Sequence, residues 1–289
     1  MKEPELLAGR YLLEKVLGEG TYSKVRLAKD LTNGNRIAIK MIKKEKKHAT
    51  TICREQLAQH LDHPNIVDVL HSFETEDSFC VVMTLMKNSL EQELHDDIKR
   101  LVFPGRRLSS SSCRELLVDL VEAIHYLHYS SEGRKGVSFS HRDIKSGNVL
   151  INFNERYQLC DFGLCNVSSD VALFQTNSVG SALYLSPDFL RFRSGEFKKY
   201  DGFALDYWSL GVLLYEASTG TFPFLPPPQE IHSTSAYSIL CSLIIKGNYD
   251  ESLVEDHILR RCIKLLLNPD PVTRRRNFLS IYSSINTLM

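Results

Sequence analysis

Apolar and polar positions alternate with a period of two over the first third of the chain and shift to helical spacing beyond it. Residues 11–17, 24–29 and 36–42 alternate, and the turn Thr32-Asn33-Gly34-Asn35 separates the last two, which predicts an antiparallel meander. The basic run 43–47 reads as a solvated connection. Thr50 or Thr51 then caps a helix through about His60, which stops at Asp62-His63-Pro64. Two more strands are expected over 66–73 and 79–86. Five strands and one helix make a small N-terminal lobe.

From Leu90 onward the pattern becomes helical. The polar cluster Ser109 to Ser112 suits an N-cap and precedes Leu116, Leu117, Leu120, Val121, Ile124, Leu127 and His128, an amphipathic stripe. Residues 129–140, with Gly133 and Gly136, read as an inserted loop. The stretch 205–217 is almost wholly apolar and predicts a buried helix, and 222–228 is Pro-rich and irregular. Residues 239–245 and 254–267 add helices to a larger, mainly α C-terminal lobe. The fold class is therefore α+β and bilobal. One domain over 1–289 divides into an N-lobe at about 11–83, a hinge at about 84–88 and a C-lobe at about 89–289.

Composition narrows the function. The chain has 289 residues, 43% hydrophobic and 24% charged, enough for a substantial core. Its 35 basic and 35 acidic side chains cancel, so it lacks the overall basic field of nucleic-acid binders. Seven cysteines without metal-type spacing suggest free thiols in a reducing compartment. The start has no apolar leader, and no uninterrupted apolar run approaches eighteen residues. No nucleic-acid or membrane partner is expected, and the expected location is cytoplasmic, nuclear or both.

Four motifs carry the chemistry. In Gly18-Glu19-Gly20-Thr21-Tyr22-Ser23-Lys24-Val25, two glycines let a hairpin close over phosphates and offer unobstructed N–H groups. The motif opens no helix and precedes no Gly-Lys-Ser/Thr, so neither a dinucleotide fold nor a Walker-type loop fits. Lys40 closes the apolar strand Ile37-Ala38-Ile39-Lys40; the sequence alone also allows a surface lysine there. His141-Arg142-Asp143-Ile144-Lys145-Ser146-Gly147-Asn148 is far more specific. Its Asp143 can take a hydroxyl proton, its Lys145 can neutralise a transferred phosphoryl group, and its Asn148 offers a neutral oxygen to a hard cation. Thirteen residues later, Asp161-Phe162-Gly163 adds a carboxylate, an apolar anchor and backbone freedom.

In this order and spacing the motifs resemble the eukaryotic protein kinase family, of the serine/threonine type, over essentially residues 11–280. The resemblance implies transfer of the γ-phosphate of ATP to Ser or Thr hydroxyls of protein substrates. It implies Lys40, Asp143 and Lys145 as catalytic residues, and Asn148 and Asp161 as ligands for Mg²⁺, with Mn²⁺ as an alternative. It places ATP against Leu17, Gly18, Glu19, Gly20, Val25, Ala38, Lys40 and Leu150. The hinge backbone at Thr84 and Met86 would bind the adenine edge, with Met83 at the pocket's rear. Lys145 and Ser181 match the Ser/Thr pattern. Arg142 before the catalytic Asp implies an activating phosphate, from an upstream kinase or from autophosphorylation at Thr176 or Ser178; Ser168 and Ser169 lie further upstream.

The chain also departs from the family pattern. Ser23 stands at the third glycine, and Asp188 replaces the usual Glu in Ser186-Pro187-Asp188, where it is expected to pair with Arg274. The helix Glu that should meet Lys40 is expected at Glu55, yet counting back from His63-Pro64 puts Arg54 there, and one residue turns a helical side chain by about 100°. Residues 129–140 are similar to kinases related to the NIMA mitotic family, while the opening is similar to the calmodulin-kinase-like group, so no subfamily is assigned. Two alternatives stand beside the main reading: a catalytically silent scaffold of this fold, and a small-molecule kinase.

Overall fold

The computed structural model describes residues 5–20, 23–45, 48–95, 105–130, 138–167 and 182–285. Thr21, Tyr22, residues 131–137, Ser168, Ser169, Thr176, Ser178 and Ser181 lie outside them. In the N-lobe, β1 (Glu5–Leu7), β2 (Tyr11–Glu19), β3 (Ser23–Asp30), β4 (Arg36–Lys43), β5 (Val69–Glu74) and β6 (Ser78–Thr84) form one antiparallel sheet in the order β1-β2-β3-β4-β6-β5. The helix α1 (Ala49–Ala58) crosses between β4 and β5.

The period-two pattern on β4 decides where Lys40 points. Ile37 and Ile39 enter a core with Tyr11, Leu13, Ala28, Cys80 and Val82. The alternate residue Ile42 packs with Phe79 and Val81 against Ile52 of α1. Successive side chains on a strand face opposite ways, so Lys40 shares the α1 face with Ile42. Arg10 ties the start of β2 to the end of β3 through two bonds to Asp30, at 2.9 and 2.6 Å.

Several elements differ from expectation. Five strands are six, because β1 adds itself to β2. Ile66 makes only a single bridge to Leu159, because the turn from His63 to Ile66 occupies the backbone before β5 can start. β6 stops at Thr84, whose N–H is taken by Asp68 O. Residues 129–140 are not all loop: the helix reaches Tyr129, and Phe139–Ser140 is a strand.

The C-lobe begins with β7 (Asn88–Ser89), α2 (Leu90–Leu94) and the 20-residue α3 (Ser110–Tyr129) capped by Ser109. The short strands β8 (Phe139–Ser140), β9 (Val149–Ile151), β10 (Tyr157–Leu159) and β11 (Asn166–Val167) lie under the cleft. α4 (Pro187–Arg193), α5 (Gly202–Thr219), α6 (Ala236–Lys246), α7 (His257–Leu266) and α8 (Pro271–Ser284) follow. The α7 helix starts three residues later than the apolar run because Asp256 caps it, accepting from the Ile258 and Leu259 N–H groups. The polar run 271–284 gave no advance sign of α8.

α5 is the axle of this lobe. Its residues from Ala204 to Ala217 are buried, as expected for a helix apolar all round. Gly211 lets α7 approach: a Cβ there would lie 2.9 Å from Leu267 and 3.0 Å from Leu266. All seven cysteines are free. Burial pushes Cys80 and Cys262 up to about 11 and Cys113 and Cys165 up to about 12, whereas Cys53 is exposed. A thiol reagent at neutral pH is therefore expected to label Cys53 rapidly and these four only after denaturation; fast labelling of Cys113 in the native protein would contradict the packing.

Candidate active site

Three charged groups from distant parts of the chain meet beneath β4. Lys40 Nζ lies 2.5 Å from Glu55 Oε1 and 2.8 Å from Asp161 Oδ1. Burial alone would push the Lys40 amine down, but the two carboxylates outweigh it and hold the amine above its ordinary value. Burial keeps the Glu55 carboxyl above its usual range despite Lys40. Desolvation acts the same way on Asp161, yet Lys40 and the Gly163 N–H more than offset it and hold that carboxyl low. Asp161 also keeps 41% of its side chain open to the cleft, so it can take a further ligand.

The one-residue offset at Glu55 has a local cause. α1 ends at Ala58 and tightens into i→i+3 turns, Gln59 N to Gln56 O and Leu61 N to Ala58 O. Counting back from His63 as though the helix ran straight therefore misplaces the register. Arg54 instead reaches Gly163 O at 3.4 Å. A side chain at Gly163 would be crowded, since a Cβ would sit 3.0 Å from Thr51 Cγ2 and 3.4 Å from Glu55 Oε1.

A second cluster lies on the loop after β8. Asp143 Oδ2 accepts from Lys145 Nζ at 2.7 Å and from Asn148 Nδ2 at 2.8 Å. Asn148 Nδ2 also donates to Asp143 O at 2.8 Å. With its amide nitrogen so committed, Asn148 is left with its carbonyl oxygen for a cation. The loop is braced from below: Asp206 on α5 accepts from His141 N and Arg142 N, each at 2.7 Å. That clamp holds Arg142 at φ +67°, while Asp161 stands at φ +66°, both in the left-handed region where non-glycine residues are strained. His141 Nε2 meets Cys160 O at 3.0 Å, and its ring packs edge-on against Phe162.

The other expected ATP-contact residues lie on or next to the strands of the N-lobe sheet, just after β6 and on β9. Leu17, Gly18 and Glu19 end β2, with Gly18 opposite Val25 and Glu19 opposite Lys24. Ala38 lies between Leu27 and Met83 in the sheet, and Thr84 ends β6. Gly20 turns the strand through its N–H to Ser23 O at 2.8 Å. Met86 follows β6, and Ser89 pairs with Leu150, which brings β9 against the hinge. An open concavity of about 480 Å³ around Phe224, Leu243 and Tyr249 lies on the C-lobe and holds none of these groups.

Sequence reasoning missed a second buried support of the catalytic loop, beyond the Asp206 brace. Glu216, with no exposed surface, accepts from Ser146 Oγ at 3.1 Å, Tyr184 OH at 2.5 Å and His95 Nε2 at 2.8 Å. The signal was present, because an acid inside the apolar run 205–217 has to find hydrogen-bond donors, and Glu216 is one of two there, with Asp206. Downstream, Asp188 Oδ1 pairs with Arg274 Nη2 at 2.5 Å, both buried, so the shorter carboxylate does reach its arginine.

The sequence profile of the protein kinase domain matches residues 11–277. The chain belongs to the protein kinase family. This kinase domain is 36% identical over 223 residues to human NUAK family SNF1-like kinase 1, covering 75% of the chain and 31% of that protein. It is 32% identical over 277 residues to the Xenopus laevis hormonally up-regulated neu tumor-associated kinase homolog A, covering 92% of the chain and 36% of the relative. It is also 30% identical over 271 residues to Arabidopsis thaliana CBL-interacting serine/threonine-protein kinase 21, with coverage of 92% and 58%. The chain thus spans from about a third to somewhat over half the length of these curated relatives.

Proposed function

We propose that the chain is a serine/threonine protein kinase that transfers the γ-phosphate of ATP to protein hydroxyls. The observation that carries this reading is the meeting of Lys40 with Glu55 and Asp161 and of Asp143 with Lys145 and Asn148, the two groups linked by Cys160 N, which donates to Asn148 O at 3.0 Å. Lys40, held rigid by Glu55, grips the phosphates. Asp143 orients the acceptor hydroxyl and takes its proton as the oxygen attacks in line. Lys145, on the same carboxylate, stabilises charge on the group in flight. The donors Asp161 and Asn148 Oδ1 are oxygens only, which suits a hard cation that takes one or two carboxylates and completes its shell with phosphates and water. Asp161 and Asn148 would hold a Mg²⁺, or Mn²⁺ in its place, which would supply charge neutralisation to the phosphates. Positioning and electrostatics do the work, without a covalent intermediate.

The Ser/Thr preference rests on Lys145 and on the relatives' names. We further propose an activating phosphate on Thr176 or Ser178, added by an upstream kinase or by autophosphorylation. Arg142 and Arg54 support this: each acts on Tyr200 and Cys165, and Arg54 repels charge on Arg142, a like-charge pair that a phosphate would neutralise. Free thiols and balanced charge favour a cytoplasmic or nuclear site and a partner that is a protein substrate. No helix among the described residues is long and apolar enough to cross a membrane.

Incubation with labelled ATP, Mg²⁺ and a generic protein substrate tests the reading. Labelled protein is expected. Label only in a metabolite would mean a small-molecule kinase, and nucleotide binding without transfer a scaffold. Glu55→Gln, which keeps shape but removes the charge that fixes Lys40, is expected to lower kcat about tenfold, the equivalent of about 1.4 kcal/mol; unchanged turnover would deny the pair its role.

A further inference from the structure

Behind the Asp206 clamp runs a line of polar groups that the reaction itself does not use. Arg275 Nε lies 3.1 Å from Tyr129 OH, Tyr129 OH 3.0 Å from Tyr207 OH, and Tyr207 OH 2.9 Å from His128 Nδ1. His128 Nε2 is in turn 2.8 Å from Asp206 Oδ2. Three elements contribute: His128 and Tyr129 close α3, Asp206 and Tyr207 open α5, and Arg275 lies in the first turns of α8. His128, Asp206 and Tyr207 are buried.

Only one placement of protons satisfies every member. A guanidinium donates and never accepts, so Arg275 gives its N–H to the Tyr129 oxygen. Tyr129 then gives its own proton to the Tyr207 oxygen, and Tyr207 gives its proton to His128 Nδ1. The ring carries its hydrogen on Nε2 and donates it to Asp206, which already accepts two backbone N–H groups. Reversing the Tyr207–His128 bond would require a buried imidazolium and would leave the Tyr129 hydroxyl hydrogen without an acceptor among the described residues. Burial independently favours the neutral ring, lowering the His128 pKa against Asp206 and Asp201, while Arg275 adds to the lowering.

We propose that Tyr207 and Tyr129 are positioning residues for phosphoryl transfer: a one-way hydrogen-bond chain that begins at the donor-only Arg275 fixes the neutral Nε2–H form of His128 and so aims the Asp206 carboxylate at the catalytic loop. A bond accepted at Nδ1 polarises the ring and strengthens donation from Nε2. The catalytic consequence rests on the kinase reading above; the order of protons does not.

The test combines ¹⁵N-histidine NMR of the full chain with steady-state kinetics. In the wild type at neutral pH, His128 is expected to show a protonated Nε2 and a bare, hydrogen-bonded Nδ1. Tyr207→Phe should move the Nδ1 resonance to the position of an unbonded ring nitrogen, and Tyr129→Phe should move it the same way by less. Tyr215→Phe is the control. It removes a buried α5 hydroxyl that bonds Asp250 O at 3.0 Å, and should leave His128 unmoved. Turnover is expected to fall about fivefold in Tyr207→Phe, roughly the worth of one neutral hydrogen bond, and about twofold in Tyr129→Phe, with the KM for ATP unchanged. An Nδ1–H ring or an imidazolium in the wild type would overturn the proposal, as would an Nδ1 resonance indifferent to Tyr129→Phe. A kcat loss in Tyr215→Phe equal to that in Tyr207→Phe would do the same. A wild type that shows the expected ring pattern but transfers no phosphate would count against the kinase reading and would support the order of protons.

Discussion

Asp161→Ala is expected to lower phosphoryl transfer by about a thousandfold or more while the domain stays folded. Asp161 is the single carboxylate of the proposed cation site; without it Asn148 offers one neutral oxygen, too little to hold Mg²⁺ against water. The fold has little reason to suffer. Lys40 keeps Glu55 at 2.5 Å, and the repulsion that Asp161 exerts on Glu55 disappears. The melting midpoint should therefore move by no more than a few degrees, as for a substitution that leaves no buried charge unpaired. Transfer within tenfold of wild type, in a preparation free of contaminating kinases, would sink the cation assignment. Unfolding of the variant would show that Asp161 holds the lobes together, contrary to the geometry of the Lys40–Glu55 pair.

The groups of the site were legible to different degrees. Asp143, Lys145 and Asn148 lie within six residues, so their meeting is a local property of one loop, and the motif reveals it. Lys40 was legible as a side chain but not as a contact, because a strand's period gives the face and not the partner. Glu55 was legible in kind but not in register: the tightening after Ala58 comes from how the chain must turn into Pro64, and no helical count contains it. Strand β1 was invisible, since three residues carry no measurable period. Helix α8 was hidden for another reason. Its sequence has only a sparse apolar stripe, and what holds it is Arg274, Phe278 and Ile281, three buried residues of which one is charged. The supports at Glu216 and His128 were hidden in plain view. Each is a polar residue on a face otherwise apolar, and its partners come from segments far away in the chain. Periodicity reports that such a residue is buried, and the cost of burying it says that partners exist; only the fold says which.

That reasoning applies most strongly to Arg274, and it leads to the largest stability change we expect. Arg274 is fully buried. Its guanidinium donates to Ala204 O at 2.7 Å, to Asn268 O at 2.6 Å and to Asp188 Oδ1 at 2.5 Å, and it lies 5.4 Å from the Trp208 ring centroid. Arg274→Ala removes all three bonds at once and leaves Asp188, itself buried, without its cation. Breaking a buried pair from one side costs about 3–5 kcal/mol, which in a chain of this length lowers the melting midpoint on the order of 10 °C. Lysine should not restore it, because one ammonium cannot serve three acceptors set for a planar fork. The double variant Arg274→Met, Asp188→Leu should recover much of the loss, since it removes the stranded charge together with its partner. It should not recover activity in parallel, because Asp188 lies in the first turn of α4, shortly after Tyr184, whose hydroxyl donates to Glu216 and whose carbonyl accepts from Ser209. Melting curves of the three variants decide the matter: a single Arg274→Ala change that costs only a degree or two would mean that Asp188 finds another donor, and the ion pair would then be an accessory of the fold and not its anchor.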